Sequence, residues 1–198
     1  MLKARTAVLV SGGGTNLQAL IDAGLKNAEI ALAVSNKENA YALKRAENAG
    51  IKTAFISNGA DFEEKLLSLL RDEGIELIVL AGFMRILSPE FISEFEGRMI
   101  NVHPSLIPSF CGKGFYGLRV HEAALARGVK VTGATVHIVT AEADAGPILM
   151  QKAVYIEEGD TPETLQRRVM EQAEWILLPK AADMLAEKMI KEKQEQSV

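Results

Sequence analysis

The chain has 198 residues, 48% of them hydrophobic, and its 22 basic and 26 acidic side chains give a formal net charge of −4. A chain of this length can bury one sizeable core, so we expect a single domain over residues 1–198. No broad basic field is available for a phosphate backbone or an anionic lipid, which argues against nucleic-acid and membrane partners. Small molecules are the expected partners.

The N-terminal sequence bears on the cellular location of the protein, and the cysteine and histidine content bears on whether it binds a metal. The first apolar run, residues 7–10, is too short for a signal-peptide core or a membrane span, which indicates a cytoplasmic protein. Cys111 is the only cysteine, and the three histidines, His103, His121 and His137, lack zinc-motif spacing. We therefore expect neither a disulfide nor a bound metal.

The first half of the chain alternates short apolar runs with longer amphipathic stretches. The runs, which we predict as strands, lie at residues 7–10, 30–34, 52–56, 75–80 and 99–102. Between them, leucines recur with the spacing of one helix face. This alternation predicts an α/β fold with a three-layer, mostly parallel twisted sheet, helices on both faces and a Rossmann-like N-terminal half.

The second half begins with a stretch of prolines and glycines, residues 104–117, which lacks periodicity and predicts a long loop. Residues 129–139 and 148–156 then predict two further strands that extend the sheet. They are joined through Asp-Ala-Gly-Pro at 144–147, a strong turn signal.

The C-terminal part of the chain has a helical pattern. Thr161 followed by Pro162 predicts an N-cap with proline at the first helical position. Pro179 lies inside the pattern that follows, so we expect a kink or a break into two helices there. The charged tail, about residues 188–198, is expected to be frayed.

The first candidate site is the segment Ser-Gly-Gly-Gly-Thr-Asn at 11–16, between the first strand and the first helix. Free backbone N–H groups and the helix dipole favour an anion there, most naturally a phosphate. Leu17 stands where the dinucleotide fingerprint has its third glycine, and the segment has no lysine of the P-loop kind. The alternative is a glycine-rich turn that only lets strand and helix pack closely.

The second candidate site is Asn101 and His103, which share one face at the carboxyl end of a predicted strand. Open parallel sheets bind ligands at that edge. Pro104 restricts His103 to extended geometry. Asn101 can donate to an oxyanion and His103 can exchange a proton, although a lone histidine is more often structural.

The third candidate is Asp144, in the turn between the last two strands. Beside an imidazole, its carboxylate would stabilise the imidazolium, but an aspartate that caps its own turn is the better interpretation from composition alone. His121 and His137 both have structural explanations, and His137 is the stronger functional candidate of the two.

Four segments together resemble glycinamide ribonucleotide transformylases in order and spacing. They are Ser-Gly-Gly-Gly-Thr-Asn-Leu-Gln at 11–18, Ala-Gly-Phe-Met-Arg-Ile-Leu at 81–87, Asn-Val-His-Pro-Ser-Leu-Ile-Pro at 101–108 and Asp-Ala-Gly-Pro at 144–147. The resemblance covers about residues 6–185. The histidine segment is shared by the wider formyltransferase superfamily, whereas the glycine loop is more particular.

The resemblance implies roles for these residues. Gly14, Thr15 and Asn16 would hold the substrate's phosphate, and Glu174 would contact its glycinamide end. The folate co-substrate, 10-formyltetrahydrofolate, would lie against Met84, Arg85, Ile86, Leu87, Asn101, Thr140, Ala141, Glu142, Ala143 and Asp144.

The implied reaction has the glycinamide amine attack the formyl carbon, with no covalent enzyme intermediate and no metal. Asn101 would donate to the oxyanion, His103 would stabilise it as an imidazolium and move protons, and Asp144 would support the charged histidine. His137 is a candidate for a supporting role.

Two segments depart from the family pattern. Residues 109–117 form a longer segment than the compact Pro-Gly turn of the best-known members. We therefore expect the contacts that this segment makes with folate or with a lid to differ from those of the family. An arginine that some members use for the folate tail is absent from residues 58–64.

Three other functions compete with this one. A formyltetrahydrofolate deformylase would pass the formyl group to water, but that family carries an additional N-terminal domain. A methionyl transfer-RNA formyltransferase would need a C-terminal RNA-binding domain and basic surface. A noncatalytic module that binds a phosphate ligand is the third. The oligomeric state is left open between monomer and homodimer.

Overall fold

A computed structural model describes residues 2–195 as a seven-stranded sheet flanked by helices. The strands are β1 (Ala4–Val10), β2 (Ala28–Ser35), β3 (Lys52–Phe55), β4 (Leu77–Leu80), β5 (Met99–His103), β6 (Val131–Ile138) and β7 (Ile148–Tyr155). The helices are α1 (Thr15–Asp22), α2 (Tyr41–Asn48), α3 (Phe62–Asp72), α4 (Pro89–Glu94), α5 (Leu118–Arg127), α6 (Pro162–Val169) and α7 (Trp175–Glu195). A π-helical turn, Met170–Glu174, joins α6 to α7.

The sheet has the strand order β3-β2-β1-β4-β5-β6-β7. The first five strands in that order are parallel, and β6 and β7 are antiparallel to their neighbours. The mostly parallel sheet predicted from the sequence is therefore confirmed. The direction of the strand order reverses between β1 and β4, and open α/β sheets bind ligands outside the carboxyl ends of such a pair.

Alternating side chains of β1 serve two separate cores. Val8 and Val10 pack in a core with residues of α1, α2, α6 and α7, whereas Leu9 packs on the opposite face with Phe62 of α3 and residues of α4. Burial of each large apolar side chain of this kind stabilises the fold by about 1.5–3 kcal/mol. Helices thus cover both faces of the sheet, as the three-layer prediction requires.

The start of α6 agrees with the sequence prediction. The Thr161 hydroxyl accepts a hydrogen bond from the Thr164 N–H, the Thr164 hydroxyl accepts one from the Thr161 N–H, and Pro162 occupies the first turn. Because α7 runs through Pro179, the predicted break into two helices there is wrong, and the alternative, a kink, stays a prediction. Pro179 is only the fifth residue of α7, so its missing N–H falls beside the π-helical turn, where the hydrogen-bond ladder already changes.

The tail predicted to fray, about residues 188–198, is helical as far as Glu195, and residues 196–198 lie outside the described part, so the fraying stays a prediction. Buried Met189 and the ion pairs Lys188–Glu192 and Lys191–Glu187 hold these turns. Among the described residues, no helix is both long and apolar enough to cross a membrane.

Candidate active site

The loop between β1 and α1 passes very close to α2. Gly14 has a φ of 74°, in the left-handed region that favours glycine. A Cβ at this position would lie 2.5 Å from the Cβ of Ala42 on α2. The Gly14 carbonyl accepts the first helical hydrogen bond, from the Gln18 N–H at 2.9 Å. Gly14 therefore meets both a conformational and a steric requirement that no other residue satisfies.

Two carbonyls of this loop are turned toward α2. The Gly12 carbonyl accepts from the Ala42 N–H at 3.1 Å, and the Gly13 carbonyl accepts from Nε of Arg45 at 2.8 Å. Because a trans peptide holds C=O and N–H on opposite sides, the N–H groups of Gly13 and Gly14 point away from α2. Together with the open N–H groups of the first turn of α1, they form a main-chain cradle for an anion over residues 12–16, which we call the phosphate cradle.

Asn16 connects this cradle to the π-helical turn. Its Nδ2 donates to Oε2 of Glu174 at 2.7 Å, and the two residues are 8% and 6% exposed. Burial raises the pKa of Glu174 to about 7, and the hydrogen bond from Asn16 opposes that rise. Oδ1 of Asn16 is buried without a hydrogen-bond partner among the described residues. The residues predicted for the two ends of the substrate are thus adjacent.

Four polar side chains meet where β5 and β6 pair. Asn101 lies opposite His137 in the antiparallel register, with Nδ2 and Nε2 3.2 Å apart. Nδ1 of His103 lies 3.5 Å from Oδ2 of Asp144, and Nε2 of His137 lies 3.5 Å from Oδ1. The structure therefore brings together the three residues predicted as catalytic and the predicted supporting histidine. We call this group the Asp144 cluster.

Main-chain acceptors restrict where the imidazoles carry their protons. Nδ1 of His137 lies 2.9 Å from the Ile138 carbonyl and donates to it. Its Nε2 faces both Asn101 and Asp144, so it accepts from the Asn101 amide when the ring is neutral and donates to the Asp144 carboxylate when the ring is an imidazolium. Nε2 of His103 lies 2.9 Å from the Phe110 carbonyl, which leaves its Nδ1 facing Asp144. Only the imidazolium form of His103 can donate to both of these acceptors.

Asp144 is held in a strained and highly polar position. Its φ is 56°, and its Oδ2 accepts from the Gly112 N–H at 2.8 Å. Burial alone would raise the pKa of Asp144, but the hydrogen bond with His137, the charge of His103 and the Gly112 N–H outweigh it and lower the pKa. The carboxylate bonds Gly112 and faces two imidazoles, so the turn-capping alternative does not describe its contacts.

The long loop between β5 and α5 therefore reaches the Asp144 cluster through its main chain, at Phe110 and at Gly112. Sequence reasoning singled out the length of residues 109–117 but not these contacts. Gly112 and Asp144 are 32 positions apart and bond through a backbone N–H, so no residue pattern marks the pair. Only the unusual loop length gave a signal.

A pocket opens at the carboxyl ends of β4 and β5. Of the residues predicted to contact folate, it is lined by Arg85, Ile86, Leu87, Asn101, Thr140, Ala141, Glu142, Ala143 and Asp144. Met84 lies outside this lining, half exposed, and its N–H donates to Ser11 Oγ at 2.8 Å. The sequence prediction missed apolar lining residues, Leu80, Phe83, Ile92 and Val139. Hydrophobic residues at strand ends are the signal that would have found two of them, Leu80 and Val139.

Arg85 places a cation beside the segment that lacks an arginine. Its guanidinium lies 4.4 Å from the ring centroid of Phe62, and its Nη1 donates to Asn58 Oδ1 at 3.3 Å. The start of α3 thus has a cationic neighbour that comes from another loop.

The side chains of His121 and Cys111 do not form part of the Asp144 cluster. His121 is fully buried in α5, where burial and the charge of His103 lower its pKa to about 4. The Cys111 thiol donates to the Pro108 carbonyl, and burial, with the nearby charge of Asp144, raises its pKa. In residues 2–195, no group of three or more His, Cys, Asp or Glu side chains is arranged to hold a metal ion.

An open α/β sheet with an anion cradle at its reversal point and an amide, imidazole and carboxylate cluster beside a pocket has the features of an enzyme active site. Residues 4–181 match the family model described as formyl transferase. The chain belongs to the formyl transferase family.

Named relatives narrow the similarity within the family. The chain is 41% identical over 174 residues to the phosphoribosylglycinamide formyltransferase of Escherichia coli (strain K12), covering 83% of this chain and 79% of that one. The crystal structure of phosphoribosylglycinamide formyltransferase from Anaplasma phagocytophilum superposes with a TM-score of 0.87 and 38% identity, covering 94% of this chain and 88% of the other.

Longer proteins also contain a similar segment. The trifunctional purine biosynthetic protein adenosine-3 of Gallus gallus is 46% identical to 93% of this chain, but the chain spans only 18% of that protein.

Proposed function

We propose that the protein transfers the formyl group of 10-formyltetrahydrofolate to the amine of glycinamide ribonucleotide in purine biosynthesis. The observation that carries the proposal is the contact between Asn16 and Glu174. It sets a main-chain anion cradle next to a buried carboxyl group, which suits a substrate with a phosphate at one end and an amine at the other.

The pocket beside the Asp144 cluster fits the folate. Its apolar lining and the loop 140–144 suit a flat heterocycle with a few polar edges. When bound there, the folate supplies the formyl group. The residues that hold it are Arg85, Ile86, Leu87, Asn101 and the 140–144 loop, with Met84 at the margin.

The residues of the Asp144 cluster each take one task in this proposal. Asn101 donates from Nδ2 to the formyl oxygen as it gains negative charge. The imidazolium form of His103, whose two N–H groups face Phe110 and Asp144, acts on the same oxygen through its positive charge rather than through a hydrogen bond. His137 orients the Asn101 amide through its Nε2.

The formyl group passes directly from the folate to the substrate's amine, without a covalent enzyme intermediate. The substrate's amine nitrogen forms a bond to the formyl carbon, the bond between that carbon and the folate nitrogen breaks, and one proton passes from the amine to the folate nitrogen. The products are formylglycinamide ribonucleotide and tetrahydrofolate. The cytoplasmic location, the small-molecule partners and a monomeric or dimeric state stay predictions from the sequence.

The decisive experiment follows tetrahydrofolate release from 10-formyltetrahydrofolate by the purified protein, with and without glycinamide ribonucleotide. We expect release only with the nucleotide, together with formation of its formyl derivative. Release without the nucleotide would mean hydrolysis, as in a deformylase. No release in either case, with ribose 5-phosphate still bound, would leave the noncatalytic phosphate-binding module.

A further inference from the structure

We propose that Arg45 is a positioning residue for the phosphate cradle, which fixes the Gly13 peptide so that its neighbouring N–H groups face the substrate's phosphate. This inference deepens the proposed function and rests on its phosphate site. Arg45 lies on α2, outside the glycine segment, and no residue of that segment carries a positive charge.

The guanidinium of Arg45 is held on three sides. Its Nε donates to the Gly13 carbonyl at 2.8 Å, and its Nη1 donates to Oε1 of Gln18 on α1 at 3.1 Å. Its centre lies 5.0 Å from the ring centroid of Tyr41. The planar fork of arginine suits two hydrogen bonds of fixed direction together with stacking on an aromatic ring. Arg45 therefore connects α2 both to the glycine loop at Gly13 and to α1 at Gln18.

Gly13 is the position in the cradle where such a tie matters most. A Cβ there would meet nothing within 4 Å, and glycine has wide conformational freedom, so neither packing nor a side chain fixes this peptide. The Gly12 carbonyl is already held by the Ala42 N–H, and Gly14 is held by its contact with Ala42. Without Arg45, the peptide between Gly13 and Gly14 can rotate, and the Gly14 N–H then turns away from the anion.

The test compares Arg45→Ala and Arg45→Lys with Lys44→Ala, a matched control on the same helix whose side chain is exposed and pairs with Glu47. We expect Arg45→Ala to raise the KM for glycinamide ribonucleotide about tenfold, the loss typical of one charge-assisted hydrogen bond, with kcat within about twofold. The dephosphorylated riboside should have the same KM and kcat with Arg45→Ala as with the unsubstituted protein. Lys44→Ala should match the unsubstituted protein throughout.

Arg45→Lys separates geometry from charge. Lysine keeps the positive charge but lacks the planar fork, so we expect its KM to stay close to that of Arg45→Ala. Full recovery by lysine would overturn the positioning role, since net charge would then suffice. An equal loss with the phosphorylated and dephosphorylated substrates would overturn it too, because the effect would not pass through the phosphate.

Ribose 5-phosphate binding, measured by calorimetry, tests Arg45 without formyl transfer. We expect the unsubstituted protein and Lys44→Ala to bind it alike and Arg45→Ala to bind it about tenfold more weakly. Thermal melting checks that each variant folds. If the unsubstituted protein transfers no formyl group but Arg45→Ala still binds ribose 5-phosphate more weakly, the proposed function fails and the role of Arg45 stands. If Arg45→Ala binds ribose 5-phosphate as tightly as the unsubstituted protein, only the role of Arg45 is overturned.

Discussion

The phosphate cradle and the Asp144 cluster are built in opposite ways. The cradle uses consecutive residues, 12–16, and presents main-chain N–H groups whose directions depend on backbone conformation and on α2. The cluster collects side chains from β5, from β6 and from the turn before β7, and main-chain groups only orient them. Under the proposed function this contrast separates two tasks, because the backbone cradle would hold the substrate whereas individual side chains would carry the chemistry. Substitutions in the two regions should therefore affect KM and kcat differently.

The largest effect is expected for Asp144→Asn. The amide removes the negative charge that faces the imidazoles of His103 and His137, both of which lie 3.5 Å from the carboxylate. We predict a loss of about 100-fold or more in kcat, as is usual when one preorganised electrostatic contact at a reacting centre is removed. Ribose 5-phosphate affinity should stay unchanged. Asp72→Asn, on the exposed end of α3, is the matched control, and near-normal kcat in Asp144→Asn would remove Asp144 from the mechanism.

Glu174→Gln should weaken substrate binding and strengthen the fold. The carboxyl group has a pKa of 4.5 in a model compound and about 7 in the fold, so the folded state binds more protons between these values, and stability falls as pH rises through them. The glutamine variant lacks this loss. We expect it to be more stable at pH 8 by about 3 kcal/mol, with no difference near pH 4, and to have a KM about tenfold higher.

Denaturant unfolding at pH 4, 6 and 8 measures this stability difference. Glu158→Gln, at an exposed position, is the control and should follow the unsubstituted protein at each pH. A difference between Glu174→Gln and the unsubstituted protein that does not change with pH would show that the carboxyl group titrates normally.

Gly14→Ala tests the cradle alone. The added Cβ meets the Cβ of Ala42, and a φ of 74° strains alanine, so we expect a stability loss of about 1–3 kcal/mol. The displaced loop should raise the KM for the phosphorylated substrate and leave kcat nearly unchanged. Gly12→Ala, whose Cβ would meet nothing within 4 Å, should melt like the unsubstituted protein. A large loss of kcat in Gly14→Ala would contradict the separation of binding from chemistry.

His121→Leu should leave turnover unchanged and reduce only the loss of folding stability at acidic pH. Burial lowers the pKa of His121 from 6.5 to about 4. Between these pH values the unfolded chain binds a proton that the folded chain does not bind, so the free energy of unfolding falls as pH drops below 6.5. The contribution is about 2 kcal/mol at pH 5. Unfolding at pH 5 and pH 8 should show a smaller decline in the variant, and a reduced kcat would place His121 in the site.

The sequence predicts the cradle better than the cluster, for physical reasons. Strand, glycine loop and helix are contiguous, so local patterns indicate both the fold of residues 4–22 and the direction of the free N–H groups. In the cluster, strand alternation pairs Asn101 with His103, but nothing in the spacing brings Asp144 to them. Only the family resemblance assigned that role, because the composition of the turn favoured a simple cap.

Long-range contacts set the limit of the sequence analysis. Asn16 and Glu174 are 158 positions apart, and their bond depends on a π-helical turn that the helical pattern did not reveal. Pro179 was expected to interrupt the helix, yet the irregularity lies just before it, since hydrophobic spacing alone does not distinguish a regular turn from a widened one.

The bond between Asn16 and Glu174 also has a consequence for substrate length. Asn16 belongs to the cradle through its main chain and to the carboxylate through its amide, so one residue spans the gap between the two binding groups. That gap cannot widen unless a buried hydrogen bond breaks. A molecule with an anion and an amine a few ångströms further apart would then engage one end and miss the other. Under the proposed function, we therefore expect the site to discriminate among substrates by the distance between their phosphate and their amine.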